Sequence, residues 1–433
     1  MSSFDFEICD WVHIVDPDPR CAHSYAELVI ALDSAPVTRL FDSWSKTVTD
    51  RARLPLFPMA MWFASNWWRH RAEAQIEGST RPTLDWQMSH DLPAVGYGMV
   101  WPRLRISSDG MSISMSALAG VNADWEPVQY LNRVLPARTV TFAVFDDAVT
   151  KLVELVLRRL ADCDVSAEPL ASLWAEICDE RSDTSLSEWR KWEARIGFDP
   201  DEGPDTLLDQ LQRLFNSAGR QASEEIAPLL HSDPQAMLEN FDRLAEAPGI
   251  QAELPMRDQI EISRGTAPWD SGRQAARSIR ERNNLGIKPL EDKELFDLLG
   301  ADSKNIGIDH TRSNESIGLG VINPSSGSAV LHFRRPRSDA RRFEASRFLA
   351  ESLWAPADDI WLPLTDRATA RQRFQRAFAA ELLAPIADVK ERFETSPNDE
   401  TIDDIAEHFR VSSWAIRSQL ANHGLLSPEA VAI

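Results

Sequence analysis

Long apolar runs and paired cysteines are the features that this 433-residue chain lacks most clearly. No stretch approaches the roughly 18 consecutive apolar residues that a membrane span requires. The first residues, MSSFDFEICDW, have neither the basic start nor the apolar run of a secretory signal. Cys9, Cys21, Cys163 and Cys178 are far apart and form no C-x-x-C pair, which argues against a zinc ribbon or a disulfide framework. The sequence therefore predicts a cytoplasmic protein without a membrane segment.

Basic residues are also in short supply. The chain has 46 Lys and Arg against 67 Asp and Glu, a net charge of -21. Residues 161–260 hold 22 acidic and 8 basic residues, a net charge of -14. Such a chain repels polyanions, so we do not expect direct DNA binding. The acidic region is either a solvated surface that keeps the chain soluble or a surface for a basic protein partner.

Tryptophan, by contrast, is abundant, with 15 in the chain and eight in the first 125 residues. The run from Leu54 to Ala74 predicts a helix over Met59–Arg71 that carries Trp62, Trp67 and Trp68. The segments MVWPRLRIS, MSISMSAL and RTVTFAVF then predict a small antiparallel sheet. These tryptophans indicate either a core built around indoles or an aromatic surface for a partner.

The predicted fold class is α+β, mainly helical, with three domains. Residues 1–147 form a Trp-rich α+β module, 148–258 an acidic helical middle domain, and 259–433 a third domain. In the third domain a helix over Pro268–Asn283 precedes the short helix EDKELFDLLG and a hairpin of SIGLGVI and SAVLHFR. The helices RRFEASRFLAESLW and RQRFQRAFAAELLAP follow, and residues 398–427 form a helix-turn-helix-like tail.

This order of elements resembles the ImmA/IrrE family of zinc-dependent endopeptidases over about residues 265–430. The most specific features are the segment FAAELLAP, which spans residues 378–385, and the tail. Supporting features are Arg342-Phe343 and the GRQAARSIR helix before LGIKPL. In the tail the matching residues are Ile405, Ala406, Phe409, Val411, Ser412 and Ile416. The resemblance implies a zincin-like domain with a helix-turn-helix-like tail.

Active members of this family carry H-E-x-x-H four residues after the Phe of the R-F pair. Two His at i and i+4 share a helix face and bind one Zn²⁺, and the Glu acts as general base on the metal-bound water. Counting from Phe343 places Arg347, Phe348 and Glu351 at these positions. The family's further acidic ligand corresponds to Phe374. We therefore expect no catalytic residue, metal or cofactor at this site.

A buried ion pair between Arg347 and Glu351 is one hypothesis for what replaces the metal, with Phe348 and Phe374 filling the remaining space. The alternative is an ordinary surface pair. His332, on a predicted strand beside the helix, could supply one zinc ligand together with Glu351. Two ligands do not hold a tight site, and a satisfied structural histidine is the simpler interpretation.

The tail has the wrong charge for reading DNA. Its first helix and approach carry Asp399, Glu400, Asp403, Asp404 and Glu407, whereas the second helix offers only Arg417. Because DNA readers need cations for phosphate contacts, we predict packing or partner binding instead.

The function expected from the resemblance is regulatory. Active members cleave helix-turn-helix repressors, so this chain is expected to bind a protein partner such as a transcriptional repressor without cutting it. The implied setting is a mobile-element, stress or phage-defence system. The alternative is an ImmA/IrrE-type zinc endopeptidase with a rearranged metal site. A third hypothesis places activity in the N-terminal module, where Asp85, His90, Asp91 and Asp109 are polar candidates without a recognised catalytic arrangement.

Overall fold

The computed structural model describes residues 2–75, 82–118, 126–231, 233–257, 259–263, 266–304 and 317–427. The chain divides into two compact units, Met1–Gly203 and Pro204–Ile433. About 51% of the chain is helical and about 17% lies in strands, which confirms the mixed and mainly helical class. Among the described helices, none has the length and apolar character needed to cross a membrane.

The first unit contains the first ten strands and the first seven helices. The strands are β1 (Phe4–Trp11), β2 (Tyr25–Leu32), β3 (Ala35–Pro36), β4 (Leu40–Asp42), β5 (Thr47–Thr49), β6 (Ala52–Pro55), β7 (Arg103–Ser108), β8 (Ile113–Leu118), β9 (Val128–Tyr130) and β10 (Val134–Val140). The helices are α1 (Pro19–His23), α2 (Leu56–Ser65), α3 (Trp67–Ala72), α4 (Leu84–His90), α5 (Phe142–Asp162), α6 (Leu170–Ser182) and α7 (Thr184–Ile196).

Antiparallel pairing organises these strands into three small sheets. In one, β2 pairs with β1, β3 and β6; the others have the orders β10-β8-β7 and β5-β4-β9. The predicted sheet around Ser108–Gly110 is confirmed, because β7 and β8 pair across that turn. The predicted strand RTVTFAVF is only half right. Its second half begins α5, because the Thr141 side chain accepts a hydrogen bond from the Val144 amide and caps that helix.

The Trp-rich helix is buried, so the interpretation of a core built around indoles is confirmed and the alternative of a partner surface at its tryptophans is wrong. Trp62, Trp67 and Trp68 are 7%, 1% and 3% exposed. The helix is also broken at Asn66 into α2 and α3. The Trp68 Nε1 donates to Glu180, and Trp67 makes an edge-to-face contact with Trp174 at 5.4 Å between ring centroids. Trp62 and Trp68 bury their rings and donate a hydrogen bond from Nε1 inside the unit, and Trp67 contributes its buried ring, so the three indoles form part of the core.

The acidic residues that we assigned to a middle domain are divided between the two units. Helices α5, α6 and α7 belong to the first unit, and their buried residues, including Val149, Leu152 and Trp174, share its hydrophobic core. The rest of the acidic region, from Pro204, belongs to the second unit. Amphipathic helices need a surface on which to bury their apolar faces, and these helices find it on neighbouring elements of each unit.

The second unit contains four strands and ten further helices within the described ranges. The strands are β11 (Ile250–Ala252), β12 (Gly318–Ile322), β13 (Ala329–His332) and β14 (Trp361–Leu364). The helices are α8 (Leu207–Ala218), α9 (Arg220–Ile226), α10 (Pro234–Ala245), α11 (Pro268–Arg282), α12 (Asp292–Leu299), α13 (Ser338–Trp354), α14 (Ala370–Leu383), α15 (Ile386–Thr395), α16 (Asp399–Phe409) and α17 (Ser413–Asn422).

The four strands form one antiparallel sheet in the order β11-β13-β12-β14. The predicted hairpin of β12 and β13 is confirmed, and so are the helices α11 to α14. Helix α14 packs against both α11 and α13. It approaches α11 so closely that a Cβ atom added at Gly272 would lie 2.5 Å from the carbonyl oxygen of Phe374. This packing fixes α14 beside α13, the helix that carries Arg347, Phe348 and Glu351.

Candidate functional site

Helix α13 is buried along almost its whole length, yet it carries several charged side chains. Arg342, Glu344, Arg347 and Glu351 are all 3% exposed or less. Each therefore needs an internal partner, because burying an uncompensated charge is costly. Arg342 pairs with Asp292 and Glu344 with Arg334, both near the start of the helix. The remaining two, Arg347 and Glu351, occupy the positions that the resemblance gives to the zinc histidines.

Arg347 is surrounded by neutral oxygen acceptors. Its Nη2 donates to the carbonyl of Thr365 at 2.8 Å, to Gln372 Oε1 at 2.5 Å and to Gln375 Oε1 at 3.0 Å. Burial lowers the pKa of Arg347 to about 9, and repulsion from Arg376 and Arg334 contributes. The side chain is still a cation at neutral pH, held by amide dipoles and a backbone carbonyl.

Glu351 has a different partner, Arg371 of α14. The Arg371 Nε donates to Glu351 Oε1 at 2.8 Å, and Nη2 donates to the same oxygen. Gln375 Nε2 donates to the other oxygen at 2.6 Å. Burial raises the pKa of Glu351 to about 7, although Arg371 and Gln375 oppose the shift. The site therefore contains a buried carboxyl group that titrates near neutral pH.

The direct Arg347–Glu351 ion pair that the spacing suggested is replaced by a bridge. Gln375 accepts from Arg347 with its oxygen and donates to Glu351 with its nitrogen. Among the described residues, the only cation paired with Glu351 is Arg371. A Gln amide has one acceptor and one donor end, so it satisfies the cation and the carboxyl group together. The interpretation as an exposed surface pair is wrong, because both side chains are buried.

Arg371 extends this network to the segment before β14. Its Nη1 donates to Asp359 Oδ2 at 2.9 Å, so one guanidinium joins two buried carboxyl groups. Burial favours a lower pKa for Arg371, but attraction to Glu351 and Asp359 outweighs it and raises the pKa. Arg371 is therefore the central cation of the site.

A helix of the acidic region closes the network. Glu225 of α9 is 6% exposed; its Oε2 accepts from Thr369 Oγ1 at 2.9 Å and from Gln372 Nε2 at 3.1 Å. Burial raises the pKa of Glu225. Gly219 precedes α9 with a φ of +89°, and a Cβ atom there would lie 2.6 Å from the Cα of Asp359. The close approach of the backbone at Gly219 brings α9 against the site.

Phe348 and Phe374, which occupy the remaining positions assigned by the resemblance, lie in apolar packing. Phe348 and Phe374 are both fully buried. Phe348 makes an edge-to-face contact with Phe333 at 5.3 Å, and Phe374 lies 4.9 Å from Trp354 between ring centroids. Phe374 also approaches Phe378 at 6.3 Å. Neither ring offers a lone pair to a metal or to a proton.

The zinc ion that the resemblance implies does not fit these side chains. A guanidinium has donors only, and the carboxyl group of Glu351 already accepts hydrogen bonds from Arg371 and Gln375. His332 is 7% exposed at the end of β13, where it pairs in register with Leu319. Within the described ranges, no three His, Cys, Asp or Glu side chains converge in a way that could hold a metal ion.

The N-terminal polar candidates are all engaged in structural contacts. Buried His90 has Nε2 at 3.0 Å from Glu73 and Nδ1 at 2.7 Å from the Ile106 carbonyl. Asp91 pairs with Arg105 and Asp85 with Arg69, while Asp109 accepts backbone hydrogen bonds within its own turn. Asp85 and His90 therefore belong to one network through the Arg69–Glu73 ion pair, whereas Asp91 and Asp109 make separate contacts.

Sequence reasoning missed Arg371, Gln372 and Gln375, which hold the network together. A signal for them exists, because these polar residues lie next to Phe374 at helical spacing on a helix with an otherwise apolar buried face. No comparable signal marks Glu225, which is one of many acidic residues in its region.

The comparisons with known proteins add no relative: no family model, no curated protein and no solved structure matches the chain.

Proposed function

We propose that residues 259–433 form an ImmA/IrrE-like pseudo-peptidase domain with a helix-turn-helix-like tail, and that the protein regulates by binding a protein partner without cutting it. The partner class is a transcriptional regulator, and the setting is a mobile-element, stress or phage-defence system. Both follow from the resemblance of this domain's sequence to that family.

The observation that carries the proposal is the position of the Arg347 guanidinium. It lies buried at the place of the first zinc histidine, and two glutamine oxygens and the Thr365 carbonyl enclose it. A cation in this position repels a divalent metal ion, and its neighbours are already committed as hydrogen-bond acceptors. Hydrolysis would then have no metal-activated water.

The buried hydrogen-bond network around Arg347 and Glu351 favours a structural role for these residues. Buried charges that are hydrogen-bonded on every side hold their elements in one arrangement, here α9, α13 and α14. A rigid domain without catalytic groups can still present its outer surface to a partner. Binding without cleavage is therefore the function that the geometry supports best.

The test is to capture a partner and then ask whether it is cut. Tagged full-length protein would be cross-linked in its native host, and the captured partner would be purified and incubated with the protein and added Zn²⁺. We expect saturable binding of a regulator that remains full-length. Failure to recover any specific partner would contradict the binding role.

Zinc-dependent cleavage of the partner would instead support the rearranged endopeptidase. The matched variants are His332→Ala and Glu351→Gln, which remove the two groups that the sequence suggested as zinc ligands beside α13. Loss of cleavage in both variants would establish that alternative, whereas absence of cleavage in the wild type leaves the pseudo-peptidase.

A further inference from the structure

An exposed tryptophan marks the start of the last described helix. Trp414 is 49% exposed at the second position of α17, while Ala415, Ile416 and Leu420 are buried on the other side of the helix. Tryptophan is rare on surfaces that contact only water and frequent at the centre of protein interfaces. This residue therefore indicates a contact surface.

The neighbouring helix α16 presents a continuous acidic stripe. Ile402, Ile405, Ala406 and Phe409 are buried, and the opposite side of the helix is exposed. The exposed acidic residues are spaced by three or four positions, so they share one face: Glu400, Asp403, Asp404 and Glu407. In the described parts of the chain, Glu400, Asp404 and Glu407 form no ion pair.

Two side-chain contacts place Trp414 beside this stripe. Ser413 Oγ donates to Asp403 Oδ1 at 2.5 Å, and Arg417 Nη1 donates to Asp399 Oδ1 at 2.9 Å. These contacts hold the first turn of α17, which includes exposed Trp414, against α16. The indole and the stripe are therefore adjacent parts of one surface, which we call the acidic tail face.

We propose that the acidic tail face, made of Glu400, Asp403, Asp404, Glu407 and Trp414, docks a lysine- and arginine-rich helix of a protein partner. The inference rests on the proposed function, because it names the surface and the chemistry of that partner. Four carboxylates attract cations at long range, and an arginine or lysine can stack on the indole face at short range.

Charge excludes the other occupants of this surface. DNA would meet carboxylates where phosphate-binding cations are needed, and the nearby cations are in use: Arg417 by Asp399 and Arg410 by Asp292. A second copy of the chain also carries a net charge of -21, so self-association through this face is opposed by repulsion. A basic protein segment has neither problem.

The experiment titrates the full-length chain into a fluorescein-labelled amphipathic helical peptide of about 20 residues. One face of the peptide carries Lys and Arg and the other Leu, and a second peptide has every Lys and Arg replaced by Gln. Two variants probe the face: Trp414→Ala and the triple Glu400→Gln/Asp404→Asn/Glu407→Gln. We expect each to weaken binding of the basic peptide about tenfold.

Matched controls separate this surface from the general acidity of the chain. Trp44→Ala removes a tryptophan that is 94% exposed in the first unit. The triple variant Glu154→Gln/Glu176→Gln/Asp179→Asn also removes three negative charges, but from exposed positions of α5 and α6. Both controls should change the Kd less than about twofold, and the Gln peptide should bind at least about tenfold more weakly than the basic one.

Several results would overturn the docking proposal. Equal losses in the two triple variants would show attraction to net charge alone, and so would an unchanged Kd in Trp414→Ala. The proposal would also be excluded if the basic peptide did not bind saturably. It would be excluded too if duplex DNA bound saturably in a way that needs Trp414, or if the chain formed a dimer that Trp414→Ala dissociates. If a captured host partner is retained equally by wild type, Trp414→Ala and the tail triple, the partner-binding function stands and this surface is wrong.

Discussion

The two units each contain a buried arginine followed four residues later by a buried glutamate, and the two pairs behave differently. In the first unit Arg69 Nε lies 2.7 Å from Glu73 Oε2, a direct ion pair. In the second unit Arg347 and Glu351 have the same spacing, yet Gln375 lies between them and Arg371 pairs with the glutamate. Helical spacing brings two side chains near each other, but the groups on neighbouring elements decide which pairs form.

The difference extends to the protonation of the two carboxyl groups. Burial acts to raise the pKa of Glu73, but hydrogen bonding to His90 and attraction to Arg69 outweigh it, so the pKa is lowered. Burial wins for Glu351, whose pKa rises to about 7. The first site stabilises a charge, whereas the second holds a carboxyl group near its point of neutralisation.

The largest expected effect comes from removing the central cation. Arg371→Met leaves Glu351 and Asp359 buried without their counter-charge. We expect the free energy of unfolding of the second unit to fall by about 3 to 5 kcal/mol. The matched variant Arg69→Met should lose less, because Glu73 keeps His90 as a partner. Native-state hydrogen exchange of peptides from α3, α13 and α14 measures each unit separately. Equal losses in the two variants would remove the distinction between the sites.

The next largest effect concerns the closure of the second site by α9. Gly219→Ala places a Cβ atom 2.6 Å from the Asp359 Cα at a φ of +89°. We expect Gly219→Ala to lower the free energy of unfolding by at least about 2 kcal/mol more than Gly110→Ala does. Gly110 has a φ of +87°, and a Cβ atom there would have no neighbour within 4 Å. Hydrogen exchange should show faster opening of α9 in the first variant only. Similar behaviour of the two variants would mean that α9 does not seal the network.

The pH dependence of stability should have opposite signs at the two glutamates. Because the folded-state pKa of Glu351 exceeds its ordinary value of 4.5, the folded chain binds the extra proton, and stability falls as the pH rises from 4.5 to about 7. The expected loss is about 2 to 3 kcal/mol. The lowered pKa of Glu73 gives stability that is present above 4.5 and lost as the pH falls through that lowered value.

Exchange measurements between about pH 3 and 8 on wild type, Glu351→Gln and Glu73→Gln separate these contributions. Glu351→Gln should reduce the decline in the second unit and leave the first unit unchanged; buried Glu225 and Asp359, whose pKa values are also raised by burial, account for the remainder. A second unit that instead gains stability towards pH 8 would contradict the raised pKa.

The smallest effect is the coupling energy within each pair. A double-mutant cycle with Arg→Met and Glu→Gln should give about 1 to 3 kcal/mol for Arg69 and Glu73, which touch directly. For Arg347 and Glu351 we expect a smaller coupling energy of about 0.5 to 1 kcal/mol, because they interact through Gln375. A coupling energy for Arg347 and Glu351 as large as that for Arg69 and Glu73 would indicate a direct ion pair and contradict the bridge through Gln375.

Local patterns in the sequence were sufficient to predict several elements of the second unit. The alternation in β12 and β13 and the helical periodicity of α13 and α14 depend on nearby residues, so they could be read directly. The short strands β11 and β14 could not be predicted, because each exists only through pairing with a distant partner. The burial of the Trp-rich helix was predictable from its apolar pattern, but the contact of Trp67 with Trp174 of α6 was not.

The candidate site was predictable by position but not by partner. The spacing of Arg347 and Glu351 on one helix placed them together, and the apolar character of Phe348 and Phe374 was evident. The choice of Arg371 over Arg347 as the counter-charge depends on competition among buried groups from α9, α13 and α14. Such competition is settled by tertiary geometry, which a single sequence does not contain.

The central claim is that the side chains around Arg347 cannot hold zinc, and the metal content of the full-length protein tests it most directly. The purified chain would be dialysed against excess Zn²⁺ and then against metal-free buffer, and bound zinc would be measured by mass spectrometry. The buried Arg347 network predicts less than about 0.1 equivalents of zinc per chain, because too few free donors surround it. About one equivalent in the wild type, reduced in both Glu351→Gln and His332→Ala, would contradict it.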